Sequence, residues 1–413
     1  MTTMPVELLT NIAEHIDIID LLALRLTCKE VAAATESTFV QTFFVVRRHL
    51  LAHYSVQILV EISRNLNLRR RLTEIEFVVP ALGGPYSPSP GSLVWYCRFD
   101  AQTPLPKECE AVWSRWEKDK VAFEARGARV SSIAEALRNL KNAGLVPKLT
   151  LSFNNYRVYL GKQEVFGINS LLKHLGPPVE REDLTAVNAE DTAKASNALF
   201  TAIAKANYPI TNLDLWSGAR NTGVRFDHFD LGDKVFRRLQ ASWTNLTKLE
   251  LGFDIHCLES LAEMSAFRQL VAAAVRLREL AMDFKGWLEA EQPENSFQSI
   301  SAAFACSSLE KISLSGIQLH QRALLGFVGT HKATVRDLSL CAVHVADGES
   351  WHRVFQWLTD NLTLEHVLSS ELRQGFERML DDEHQCNRHE CHGTEHIKRQ
   401  LKWLAREAEF EEY

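Results

Sequence analysis

The sequence predicts an α/β fold in which a small helical N-terminal unit leads into an irregular solenoid of short parallel strands and helices. Three observations carry this expectation. The first residues, MPVELLTNIAEHIDIIDLLALRLTCKEVAAA, read as short amphipathic helices. A hydrophobic-x-x-hydrophobic-x-hydrophobic word then recurs at Leu72/Ile75/Phe77, Val146/Leu149/Leu151, Ile210/Leu213/Leu215, Leu246/Leu249/Leu251, Leu277/Leu280/Met282, Leu309/Ile312/Leu314 and Val335/Leu338/Leu340, with a weaker copy at Leu364 and Val367. From Ile210 onward the words start roughly thirty residues apart, the length of one strand plus one returning helix. Between them HCLESLAEMSAFRQLVAAAV, SFQSISAAFACSS and SWHRVFQWLTDNL carry helical periodicity, with Trp351, Val354, Phe355 and Leu358 expected in the core.

In the first helix Leu8, Leu9, Ile12, Ala13 and Ile16 recur at helical spacing, Pro5 suits the opening turn and Glu7 is favourable against the helix dipole. Asp20 is expected to cap the second helix. Together they hold more apolar surface than so small a unit can bury, which implies a partner. The series Met4-Pro5, Glu7-Leu8-Leu9, Ile12, Asp20-Leu21-Leu22, Leu24-Arg25-Leu26 and Cys28-Lys29 resembles the F-box, the helical motif that docks a protein onto the Skp adaptor of cullin-based ubiquitin ligases. Met4 replaces the usual Leu, and Phe39 or Phe43 stands where many F-boxes end in Trp. The resemblance implies that Pro5, Glu7, Leu8, Leu9, Ile12, Leu21, Leu22 and Leu26 form the adaptor-binding surface, with cullin reached through the adaptor.

Five segments follow from this reading. Residues 1–47 are the F-box-like unit. Residues 48–71 form a connecting helix with Leu51, Ile58 and Ile62 on one stripe, reinforced by Leu50, Leu59 and Leu66. Residues 72–145 hold the first strand word, an irregular Pro/Gly/Ser-rich stretch containing the strand candidate LVWYCRF, and a helical region with Val112, Trp116, Val121, Ile133, Leu137 and Leu140 inward. Residues 146–375 are the repeats, and 376–413 a charged C-terminal tail.

The words resemble leucine-rich repeats in degenerate form. Asn154 matches the consensus Asn after one strand, while Asp254, Lys285, Ile317 and Val343 occupy that place elsewhere. With its F-box-like start, the chain is similar to large F-box families of filamentous fungi. Because side chains alternate along a strand, Asp214, Glu250 and Asp283 are expected to line up as an acidic stripe on a concave surface, with Trp216 as aromatic anchor, offering a target-binding site for a basic segment.

Composition sets limits on function. The 413 residues are 46% hydrophobic and 24% charged, a globular rather than disordered balance. A net charge of -6 provides no general attraction to nucleic acid or anionic membrane. No apolar run approaches the roughly 20 residues of a bilayer span, and no signal-peptide pattern opens the chain, so a cytoplasmic or nuclear location is expected. The eight cysteines are expected to be reduced, mostly small core residues. No nucleophile elbow, phosphate-binding loop, dinucleotide fingerprint or kinase signature occurs.

The stretch HQCNRHECHGTEH gathers His384, Cys386, His389, Cys391, His392 and His396, yet Gly393 stands where a zinc protease needs its second His. A solvated, partly helical tail with no metal or other cofactor is expected. The resulting expectation is a non-enzymatic substrate receptor of a Skp–cullin–F-box ubiquitin ligase. The alternative is a cullin-independent, Skp-bound repeat scaffold that uses the same docking surface.

Overall fold

The structure, a computed structural model, describes residues 4–79, 107–125, 127–152, 173, 189–216, 223–253, 264–284, 293–346, 350–374, 377–378 and 388–410. It is mixed α/β. Four short helices come first: α1 (Val6–His15), α2 (Ile18–Arg25), α3 (Lys29–Ala34) and α4 (Glu36–Phe44). A parallel sheet follows, with β1 (Val46–Leu50), β2 (Glu74–Val78), β3 (Lys148–Ser152), β4 (Asn212–Trp216), β5 (Lys248–Gly252), β6 (Glu279–Asp283), β7 (Lys311–Leu319) and β8 (Asp337–Val345) side by side in chain order. β9 (His366–Ser370) joins β8 in parallel. The two-residue strands β10 (Arg373–Gln374) and β11 (Glu377–Arg378) extend the far end of β8, and β12 (Arg388–His392) closes on β9 antiparallel.

Every hydrophobic word becomes a strand, and the register explains why. Ile75, Leu149, Leu213, Leu249, Leu280, Ile312, Leu338 and Val367 stand opposite one another in a single row across the sheet. Seven of these are at most 1% exposed, and burying such a side chain stabilises by roughly 1.5–3 kcal/mol. A repeated hydrogen bond holds the register: Arg278 N–H donates to the Thr247 carbonyl, Glu310 to Arg278, Arg336 to Glu310 and Glu365 to Arg336, at 2.7–2.9 Å.

Helices complete the core: α5 (His53–Arg64), α6 (Leu66–Arg69), α7 (Lys107–Ala125), α8 (Ala128–Asn142), α9 (Ala189–Ala206), α10 (Asp233–Trp243), α11 (Met264–Ala273), α12 (Pro293–Ala303), α13 (Gln321–Thr330), α14 (Trp351–Asn361) and α15 (Thr394–Phe410). From α8 onward each packs on the next. Their inward residues share one core with the strand leucines, through which runs an aromatic chain: Phe253 stacks on Phe284 at 5.0 Å, Phe284 meets Phe297 edge-on at 6.1 Å, and Phe297 meets Phe327 at 5.7 Å. Trp351, Val354, Phe355 and Leu358 are buried as expected.

Several local expectations need correction. β1 occupies residues expected in the F-box-like unit and the connecting helix; it escapes a periodicity reading because Arg47 and Arg48 interrupt the apolar run and its two buried members, His49 and Leu50, are adjacent, one of them polar. α5 buries Val56, Leu59, Val60 and Ile62, leaving Ile58 exposed, and Leu66 is exposed on α6. The helical region near residue 125 is two helices, broken at Gly127, whose left-handed φ of 56° favours glycine. Ile133, Leu137 and Leu140 are fully buried, but Val121 is exposed; the side chains of Val112 and Trp116 lie outside the described residues, as do LVWYCRF, Asn154, Asp254 and Lys285. Ile317 and Val343 lie inside long strands β7 and β8, fully buried.

The C-terminal segment is not a solvated tail. β12 pairs along the whole of β9, and α15 buries Ile397, Leu401, Leu404 and Ala405 against the sheet and α14. Among the free cysteines Cys391 is buried, Cys28 and Cys341 are half-buried, and Cys306 is exposed rather than in the core.

Candidate functional site: an exposed apolar face on the N-terminal helices

α1 starts after Pro5, whose carbonyl accepts from the Leu8 and Leu9 N–H groups. α2 starts earlier than expected, at Ile18, so its cap is Asp17 and not Asp20: Asp17 Oδ1 accepts from Asp20 N–H at 2.8 Å. Asp20 instead lies in the first turn, where its charge favours the helix dipole.

Packing among the four helices takes little apolar surface. Ala13, Leu21 and Val40 are buried and Leu9 is half-buried. Leu8 at 55%, Ile12 at 39%, Leu22 at 42% and Leu26 at 87% remain exposed, together with Met4 and Val6. Pro5 and Glu7 are exposed beside them. Of the eight expected adaptor-binding residues, only Leu21 is withdrawn into the helical unit. Leu8 and Ile12 lie one turn apart on α1, and Leu22 and Leu26 one turn apart at the end of α2; exposed apolar groups of this kind mark interaction surfaces.

Arg25 keeps that surface in shape, a role its sequence position did not disclose. Its guanidinium donates to the Ala32 carbonyl at 2.7 Å and to Thr35 Oγ1 at 3.3 Å, pairs with Glu36 at 2.6 Å, and lies 4.0 Å over the Phe39 ring. One side chain thus ties α2 to α3 and α4. Thr10 Oγ1, donating to the Ala34 carbonyl, ties α1 to α3. Phe39 and Phe43 pack on each other at 5.0 Å on α4.

Compared with known protein families, residues 1–37 match the F-box domain. These residues are an F-box domain. F-box domains typically bind the Skp adaptor, and the exposed Leu8, Ile12, Leu22 and Leu26 lie within this one. No curated protein is similar enough to the chain to match it. Among the described residues no helix is long and apolar enough to cross a membrane.

The face of the sheet opposite the core differs from the expected acidic stripe. Asp214 and Glu250 are direct cross-strand neighbours, but Glu250 faces Ala281, and Asp283 sits one row further along, opposite Gly252. Asp214 is 2% exposed, with Lys148 Nζ 3.0 Å from its carboxylate and 3.5 Å from Glu74. Burial works against the Lys148 charge, yet Asp214, Glu74 and Glu250 outweigh it and raise its pKa. Lys248 likewise sits 2.7 Å from Glu250 and 3.8 Å from Glu279. The negative charges on β4 and β5 are therefore compensated by interleaved lysines. The Trp216 backbone pairs with Ser152, and its side chain lies outside the described residues.

The His/Cys stretch is dispersed by its own strand. Cys391 points into the core, His392 and Glu390 point to the other face, and His396 is exposed on α15. His384 and Cys386 lie outside the described residues, as does the His389 side chain.

Proposed function

We propose that the chain is the substrate-recognition subunit of a Skp–cullin–F-box ubiquitin ligase, non-catalytic itself, with an irregular leucine-rich-repeat-like solenoid of the kind found in fungal F-box families as its target-holding part. The single observation that carries the reading is the exposed Leu8/Ile12/Leu22/Leu26 face inside a matched F-box domain. Anchors of this kind contribute most when a partner buries them fully. Catalysis is then proximity: the receptor raises the local concentration of target lysines near a ubiquitin-loaded enzyme carried by other subunits.

The target side is proposed at β4 to β6, where Glu250 and Asp283 are half-exposed and Trp216 and Asp214 stand on the same strands. Affinity purification under proteasome inhibition, followed by mass spectrometry, tests the whole reading. It should recover Skp adaptor, cullin and at least one protein that accumulates on inhibition. Recovery of adaptor without cullin, under conditions that preserve other ligases, would replace the receptor by the scaffold.

A further inference from the structure

We propose that His366, Glu390 and His392 form a binding site for a divalent transition ion, with zinc the best fit, which fastens the C-terminal strand and helix to the sheet. Their side chains come from two neighbouring strands: His366 and His392 are direct cross-strand partners on β9 and β12, and Glu390 lies two residues before His392 on the same face. One donor atom from each falls within 4.8 Å of the others.

The distances suit a metal. His366 Nε2 stands 3.4 Å and His392 Nε2 3.6 Å from the same carboxylate oxygen, Glu390 Oε1. Ligands bound tetrahedrally at about 2.0–2.1 Å are about 3.3 Å apart, so both separations already approach a coordination edge. The two imidazole rings lie 4.6 Å apart, centroid to centroid. His366 Nε2 is buried and makes no hydrogen bond, an atom whose lone pair lacks a partner until a cation or proton arrives.

A further carboxylate stands where it can select the tautomer. Asp337 Oδ1 stands 3.4 Å from His366 Nδ1, on the ring's other side. With Nδ1–H directed at Asp337, Nε2 is left free to bind a metal, the carboxylate–histidine–metal arrangement that orients ligands and raises their basicity. Two imidazole nitrogens and one carboxylate oxygen form a borderline donor set that favours zinc over magnesium or calcium. A fourth position is left for water.

Equilibrium dialysis of the chelator-stripped full chain against Zn2+, with Mg2+ as control, should show one zinc per chain and no comparable magnesium uptake. His392→Ala, at an exposed position that leaves the fold intact, should weaken zinc at least tenfold, and His366→Ala likewise. Asp337→Asn should weaken it by about tenfold, acting through His366. Zinc should raise the melting temperature of the parent chain but not of His392→Ala. Absence of stoichiometric zinc would overturn the proposal. So would zinc binding that survives both histidine substitutions but is abolished by Cys386→Ser, which would place the ion on the preceding segment.

Discussion

The N-terminal helices and the sheet use leucine in opposite ways. Leu8, Leu22 and Leu26 are 55%, 42% and 87% exposed, whereas Leu149, Leu213 and Leu249 on the strands are fully buried. Both regions show the periodicity of amphipathic elements, so the pattern alone does not say what covers an apolar face. The difference is the neighbour. Each strand of the sheet pairs with its neighbour, and from α8 onward each helix packs on the next, which supplies the missing surface. The N-terminal helices pack mainly on one another, with α4 also reaching β1 and α6, and Leu8, Ile12, Leu22 and Leu26 stay exposed. Stability should therefore reside in the sheet and adaptor affinity in the helices, and the two should be separable by mutation.

The largest effect is expected in the aromatic chain of the core. Phe253→Ala removes a fully buried ring stacked on Phe284 and should cost about 3–5 kcal/mol in denaturant unfolding. Adaptor affinity, measured on the folded fraction, should not change. If affinity falls in parallel with stability, the two regions are not independent.

Next in size is the reverse experiment. Leu8→Ala and Leu22→Ala should each weaken adaptor binding by about 1–3 kcal/mol while leaving the melting temperature of the chain in place. A folded Pro5/Leu8/Leu22 triple alanine variant that binds the adaptor as the parent does would remove the docking assignment. Arg25→Ala, in contrast, should loosen the helical unit itself. Its loss from Ala32, Thr35, Glu36 and Phe39 should appear as increased backbone amide exchange in α2 to α4.

Acid should separate the regions as well. Burial, reinforced by the nearby Arg47 charge, holds the His49 pKa down to about 3; burial holds His228 down to about 4 and lowers His331. His49 stays neutral as a ring whose Nδ1 meets the Ser55 carbonyl at 3.0 Å. His49 is on β1, His228 in the 3-10 turn Phe226–Phe229 and His331 just after α13, all outside the N-terminal helices; the unfolded chain takes up protons on them near pH 6.5 and the folded chain does not. The folded-state values are depressed, so their contribution is complete above about pH 6.5 and is lost as pH falls toward 4. The slope is at most about 1.4 kcal/mol per pH unit for each group. Unfolding measured at pH 7 and pH 5 should show this loss; equal stability at the two values would mean that these rings are not held neutral.

Much of this architecture was legible before any coordinates. The hydrophobic words became strands because their spacing encodes two inward side chains and a preceding anchor, a pattern that depends on one strand alone. What depended on two strands was not legible. The shift of Asp283 away from Glu250 is a matter of register, and the pairing of Lys148 with Asp214 joins residues far apart in sequence. β12 is hidden in the sequence because its outward residues, Glu390 and His392, are polar metal-ligand types and its one buried member among the described side chains is Cys391. Ile397, Leu401 and Leu404 carry a helical period, but the charged residues between them give no sign that this face packs on the sheet. In the F-box the exposed leucines were readable from motif spacing, whereas the role of Arg25 was not, since its partners come from helices folded back on it.

The smallest stability effect separates the two acidic residues of the proposed target face, and it makes one of them the better probe. Asp214 is buried, and replacing it with Ala takes from half-buried Lys148 its nearest carboxylate, leaving the Glu74 pair and the Glu250 charge, so lost target binding in that variant would be confounded with lost packing. Glu250 is more exposed, and its pair with Lys248 is of the surface kind that contributes under about 1 kcal/mol. Glu250→Gln should therefore leave unfolding within about 0.5 kcal/mol of the parent. If the face grips a basic segment, the same substitution should still lower recovery of a subset of captured proteins, and paired Glu250→Lys and Asp283→Lys changes should lower it further. An unchanged set of captured proteins in the double charge reversal, with adaptor binding intact, would move the target site off this face and leave the alternating lysine and carboxylate rows as a device of sheet stability.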